Sequence, residues 1–193
     1  MNLSPSSEPP AQRSVCVFCA SSNGAEPIFL EAAKALGRSI AERGWQLVYG
    51  GADVGLMGAL ADAALSDGGA VTGVIPRALV DREIAHRGLT QLIEVGSMHE
   101  RKAEMARRAD AFLVLPGGLG TLDELCEILT WALLGIHDKP VVLINIAGYW
   151  DAFLGMLDTA VAAGFLRSAH RALSQVTPDA NAACDAVARL WLR

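Results

Sequence analysis

Short apolar, β-branched runs alternate with longer stretches of helical periodicity along nearly the whole chain, and this alternation limits the fold more than any other feature. The runs are SVCVFCA (14–20), WQLVYG (45–50), AVTGVIP (70–76), LTQLIEV (89–95), AFLVLP (111–116), PVVLIN (140–145) and ALSQV (172–176). Strands so short and so apolar, separated by helices, are buried on both faces, which makes the sheet parallel and covers it on either side. The expectation is an α/β, Rossmann-like, doubly wound parallel sheet of about six or seven strands with helices on both faces.

The helical stretches carry their own punctuation. Pro27 suits a first turn, and IFLEAAKALGRSIAERG runs until Gly44 offers a left-handed stop. GLMGALADAAL, YWDAFLGMLDTAVAAG and PDANAACDAVARLWL read as further helices, and RALVDREIAHRG as a short helix or loop. The opening MNLSPSSEPPAQR is polar, rich in Pro and Ser, and lacks the apolar centre of a secretory signal. Residues 1–13 are therefore expected to form a disordered tail, and 14–193 a single domain.

Sixteen basic and 21 acidic residues give a net charge of −5 with no long block of either sign, so no nucleic-acid-binding face is expected. An anionic ligand would have to rely on local Arg, Lys and backbone N–H groups. Four cysteines in apolar surroundings, and no run long enough to span a membrane, point to the cytoplasm. Cys16 and Cys19 form a C-x-x-C, but on a strand their side chains point to opposite faces, so neither redox nor metal chemistry is expected of them.

Ligands of open parallel sheets bind beyond the carboxyl ends of the strands, near the switch in strand order. Four motifs follow strands here: Ser21-Ser22-Asn23-Gly24, Gly50-Gly51-Ala52-Asp53, Ser97-Met98-His99-Glu100-Arg101-Lys102 and Pro116-Gly117-Gly118-Leu119-Gly120-Thr121. Gly117, Gly118 and Gly120 remove the Cβ atoms that would hold a ligand away, and Thr121 stands at the start of a helix whose free N–H groups favour an anion. The same residues would also make a tight turn with a Thr N-cap. Neither the dinucleotide fingerprint nor the Lys of a P-loop is present.

On the helix from Thr121, Leu122, Leu125, Cys126, Ile128, Leu129, Ala132 and Leu133 share a core arc, while Glu124 lies on the opposite face, either complementing the dipole or projecting into the site mouth. Ser97 and Glu100 match a capping box. Arg101 and Lys102 lie along a methionine stripe, where snorkelling and ligand contact are both open. His86, His99, His137 and His170 show no metal-ligand spacing, and no G-x-S-x-G elbow is present, so neither a metal nor a serine nucleophile is expected.

Taken in order, VYGGADVGLMG, GVIP, SMHERKAEMARRADAFLVLPGGLGTLDEL and TWALLGIHDKPVVLIN resemble the Lonely Guy family, the cytokinin riboside 5'-monophosphate phosphoribohydrolases, often labelled lysine decarboxylases. The likeness runs from about Val15 to Tyr149. It implies a homodimeric N-glycosidase that cleaves an adenosine 5'-monophosphate, with the site beside the dimer contact and no cofactor. It also implies a catalytic pair at Arg101 and Glu124. Substrate contacts would fall at Ser21, Ser22, Gly50, Gly51, Glu83, Met98, Lys102, Gly117, Gly118, Leu119, Gly120, Thr121 and Thr130. A non-catalytic nucleotide-binding protein of the same fold is the alternative. Ala52 and Leu133 stand where the family usually has glycine and glutamine, departures expected to bear on substrate preference more than on chemistry.

Overall fold

The computed structural model of the chain describes residues 12–80 and 85–192. Every apolar run contains a strand: β1 (Ser14–Phe18), β2 (Gln46–Tyr49), β3 (Val71–Pro76), β4 (Gln91–Val95), β5 (Ala111–Val114), β6 (Val141–Ile144) and β7 (Ser174–Thr177). All pair in parallel, in the order β4-β3-β2-β1-β5-β6-β7. β1, β3, β5 and β6 are buried along their full length, as their uninterrupted apolar character requires, while the edge strands β4 and β7 are partly exposed.

Helices α1 (Pro27–Glu42), α2 (Gly55–Ser66) and α7 (Ala180–Leu190) cover one face, where Val15, Val17 and Cys19 meet them. Helices α3 (Met98–Arg108), α4 (Leu119–Leu133) and α5 (Asp151–Ala162) cover the other, against Cys16 and Phe18; α6 is the short Ser168–Arg171. The two thiols of the C-x-x-C thus sit on opposite faces, and burial pushes both well above the ordinary cysteine pKa. Pro27 does open α1, and Gly44 follows it with φ +66°, the left-handed stop the sequence announced. The mixed stretch from Arg77 begins as a single 3-10 turn, Arg77–Leu79.

Of the expected tail, Gln12 and Arg13 are described: Gln12 Nε2 donates to the Gly44 carbonyl (3.0 Å), and the Arg13 guanidinium lies 5.1 Å from the Trp191 ring centre. Residues 1–11 lie outside the described residues. The arc of α4 assigned to the core is buried only at Leu125 and Ile128, whereas Cys126 and Leu133 are exposed, because α4, α5 and α6 leave an open apolar groove between them.

Helix α3, which carries Arg101, is fixed at both ends. Ser97 Oγ accepts from the Glu100 N–H (3.2 Å), while the Glu100 carboxylate accepts from Gly96 N–H (2.7 Å), one residue earlier than a standard capping box. At the other end Lys139 Nζ donates to the Ala106 carbonyl (2.8 Å), a cation where the helix dipole favours one. Within the helix Glu104 bonds both Arg107 and Arg108. The Arg107 bond, opposed by partial burial and reinforced by Arg108, pulls the Glu104 carboxyl down to about 2. A carboxyl lowered in the folded state stabilises the fold fully above its ordinary pKa of 4.5 and loses that contribution as pH falls towards about 2. Glu104→Gln should therefore lower stability in urea by roughly 1 kcal/mol at pH 7, with the deficit shrinking below pH 4.5; a pH-independent deficit would contradict this assignment.

Candidate functional site

Strand order reverses at β1: β2, β3 and β4 build outward on one side, β5, β6 and β7 on the other. The loops leaving β1 and β5 consequently part company at their carboxyl ends, and a crevice of about 290 Å³ opens there. One wall is Cys19, Ala20, Ser21 and Ser22 after β1; the facing wall is residues 118–121 after β5, with Met57, Met98, Arg101 and Glu124 completing it. A backbone bond ties the two loops together, Ala20 N–H donating to the Pro116 carbonyl (3.3 Å), and Leu56 N–H donates to the Ser22 carbonyl (3.3 Å), joining the first wall to α2.

Helix α4 begins two residues earlier than its sequence implied, with Gly118 in extended backbone as N-cap and without a side-chain cap. Thr121 is buried inside the first turn, where its hydroxyl fills the space a Gly117 Cβ would need, only 2.1 Å away. Gly117 is thus a packing requirement. Gly118 and Gly120 differ, because a Cβ on either would meet no protein atom within 4 Å; their bareness leaves open room beside the crevice. The first-turn N–H groups have no intrahelical partners, and the dipole makes this end favourable for an anion. Leu119, 85% exposed, stands at the mouth.

Arg101 is only 5% exposed. Its Nε donates to the Val74 carbonyl (3.1 Å) and its Nη2 to the Gly50 carbonyl (2.8 Å), so the carboxyl ends of β2 and β3 seat the guanidinium. Gly50 is what admits it: a Cβ there would fall 2.2 Å from Arg101 Nη2. At the crevice floor, burial foremost and the nearby Glu124 charge in addition raise the pKa of Cys19, while Arg101 opposes them. That thiol stays protonated and is no nucleophile.

The other expected residues divide. Ser21, Ser22, Met98, Arg101, Gly118, Leu119, Gly120, Thr121 and Glu124 all line the crevice. Gly50, Gly51 and Gly117 support it from behind: Gly51 is buried against β3 with φ +79°, and its carbonyl accepts from His86 N–H (3.0 Å). Lys102 is directed elsewhere, to Asp123 (2.9 Å) and Glu127 (3.2 Å) on α4. Burial alone would lower its pKa, but these two carboxylates outweigh it and leave the ammonium raised. Thr130 also misses the crevice; its hydroxyl donates to the Cys126 carbonyl (2.7 Å) at the rim of the α4–α6 groove. Glu83 lies outside the described residues. Cys19, Ala20 and Met57 line the crevice without having been singled out, although the end of β1 and the first turn of α2 were their available signals. Ala52 is wholly buried and Leu133 borders the groove, so neither departure from the family pattern touches the crevice.

The described residues also line two larger cavities. One of about 870 Å³ lies against Arg13, Asp110, Lys139 and Pro140, which precede β1, β5 and β6, at the amino ends of these strands. Another, of about 410 Å³ between α1 and α2, touches Asp53 and Asp62, whose carboxylates approach His86 Nε2 at 3.8 and 3.0 Å. Their ligand atoms are close enough to suggest a metal cluster. The imidazole argues otherwise: Nδ1 accepts from Gly88 N–H (3.1 Å), so in the neutral ring Nε2 carries the proton and donates to Asp62. This cluster is a clasp joining the segment after residue 84 to α2.

The family described as "possible lysine decarboxylase" matches residues 57–187. A cytokinin riboside 5'-monophosphate phosphoribohydrolase of Arabidopsis thaliana is 50% identical over 167 residues, covering 86% of this chain and 77% of its own length. One from Oryza sativa subsp. japonica is 48% identical over 169 residues, covering 88% and 70%. Among solved structures, the molybdenum cofactor carrier protein of Chlamydomonas reinhardtii superposes with a TM-score of 0.74 at 24% identity, over 94% of this chain and 99% of that one, a likeness of fold alone.

The contrast between the glycines is testable. Gly50→Ala should unseat Arg101 and lower stability in urea by about 1–3 kcal/mol, whereas Gly118→Ala should stay within about 0.5 kcal/mol of the unaltered protein. Equal losses would contradict the assignment of one glycine to packing and the other to open space.

Proposed function

The chain belongs to the Lonely Guy family of cytokinin riboside 5'-monophosphate phosphoribohydrolases, and we propose that it hydrolyses the N-glycosidic bond of a cytokinin-type adenosine 5'-monophosphate, releasing the free base and ribose 5-phosphate. The observation that carries this reading is the gathering of Arg101, Glu124 and the bare start of α4 into one crevice at the strand-order switch.

Breaking the bond between ribose C1′ and N9 of the base builds positive charge on the sugar ring, as in glycoside hydrolysis. A carboxylate beside C1′ attracts that charge more strongly as it develops, which lowers the barrier instead of merely tightening binding. Glu124 takes this role and orients the attacking water. The phosphate sits on the N–H groups at the start of α4, and Arg101, prevented from wandering by the Val74 and Gly50 carbonyls, binds the phosphate or ribose side and keeps Glu124 ionised. Residues 14–193 act as one catalytic domain. None of the three lysines, Lys34, Lys102 and Lys139, lines the crevice, so a lysine-bound cofactor finds no anchor there.

A homodimer is part of the proposal. Helix α5 has no buried residue despite its apolar composition, and Met156, Phe165, Leu134 and Ile136 are exposed. A second copy packed over the α4–α6 groove would cover Leu133 and bring Thr130 to an interface. No helix among the described residues is long and apolar enough to cross a membrane, and four unpaired cysteines fit a cytoplasmic location.

Incubation with AMP and with isopentenyladenosine monophosphate should release free base from at least one, the faster substrate identifying the preferred base. Glu124→Gln should bind ribose 5-phosphate nearly as well as the unaltered protein while turnover falls on the order of a hundredfold or more. Unchanged turnover in that variant would remove Glu124 from the mechanism.

A further inference from the structure

The peptide between Gly117 and Gly118 has no side chain on either flank to resist rotation of its plane. Something must nonetheless fix it if the start of α4 is to receive an anion. Tyr149, on the turn between β6 and α5, donates its hydroxyl to the Gly117 carbonyl at 2.6 Å. The peptide is trans, so its C=O and the following N–H point to opposite sides. A carbonyl held on the Tyr149 side therefore sends the Gly118 N–H the other way, and Gly118 lines the crevice whereas Tyr149 does not. We infer that Tyr149 is a positioning residue, whose hydroxyl sets the Gly117–Gly118 peptide so that the Gly118 N–H meets the substrate's phosphate.

The tyrosine is itself held. Its ring meets Phe29 edge-on (5.9 Å, 76°) and Trp150 likewise (5.1 Å, 89°). Phe29 belongs to α1 and packs under Gly24, where an added Cβ would fall 2.9 Å from its ring, so the same tyrosine braces the loop after β1 and the loop after β5. The turn is pinned by Asn145, which accepts from Trp150 N–H and donates to Asp151, both at 2.7 Å. Ala147 is held within it at φ 51°, the left-handed region that costs a side-chain-bearing residue free energy. A hydroxyl delivered from so constrained a turn can hold a peptide plane.

The inference rests on the hydrolytic reading of the crevice, and its test separates the two. Tyr149→Phe keeps both ring contacts and removes only the donor. Calorimetric titration with ribose 5-phosphate should show binding about three- to tenfold weaker, with KM for AMP raised by the same factor. Inhibition by adenine, which carries no phosphate, the saturated turnover and the melting temperature should stay near their original values. A purely structural tyrosine would instead move melting temperature and adenine inhibition together. In the unaltered protein, the Gly118 amide resonance should shift on adding ribose 5-phosphate. Equal ribose 5-phosphate affinity in the two proteins, or an unmoved Gly118 resonance, overturns the inference. Ribose 5-phosphate bound at Gly118 without base release from any nucleotide would overturn the hydrolytic reading and leave Tyr149 its role.

Discussion

The pairing of β1 with β5 is the constraint on which the rest of the molecule depends. Val15 to Phe18 lie in register with Ala111 to Val114, so the two strands end level and their loops diverge from a common line. Had β5 added beyond β4, the Ser21-Ser22 loop and the glycine loop would have been several strand spacings of roughly 5 Å apart. Pairing at the centre brings them into one crevice and leaves α2, α3 and α4 to supply Met57, Arg101 and Glu124 around it. The buried central strands contribute the stability that allows a polar cleft to be cut into the same edge of the sheet.

Within that frame charge is arranged by the backbone as much as by side chains. Arg101 is buried, and the Val74 and Gly50 carbonyls converge on its guanidinium from β3 and from the end of β2. Lys102, next in sequence, is turned a helical step away and spent on Asp123 and Glu127, which locks α3 against α4. Two adjacent cations therefore serve two ends: one equips the crevice, the other fixes the relative placement of the helices that bear Arg101 and Glu124.

Much of this was legible in the chain because the signals are local. Strand runs, the Pro27 and Gly44 helix limits and the Ser97 cap each depend on a few neighbouring residues. The crevice itself was legible because motifs placed just after strands must gather at one end of a parallel sheet. What escaped depended on distant partners. Nothing near Lys102 announces Asp123, nothing near Gly50 announces the guanidinium that forbids its Cβ, and the hydroxyl of Tyr149 acts on a peptide 32 positions away. The apolar arc of α4 misled for a related reason: periodicity identifies a face that wants covering but not whether the chain's own helices cover it.

The central claim is that main-chain N–H groups at the start of α4 hold a sugar phosphate while Glu124 confronts the carbon from which the base departs. A crystal structure with ribose 5-phosphate bound examines it most directly. The account predicts phosphate oxygens within about 3 Å of the amides of residues 118–121, with C1′ turned towards the Glu124 carboxylate. A phosphate held instead at Lys102, or a C1′ facing away from Glu124, would contradict it.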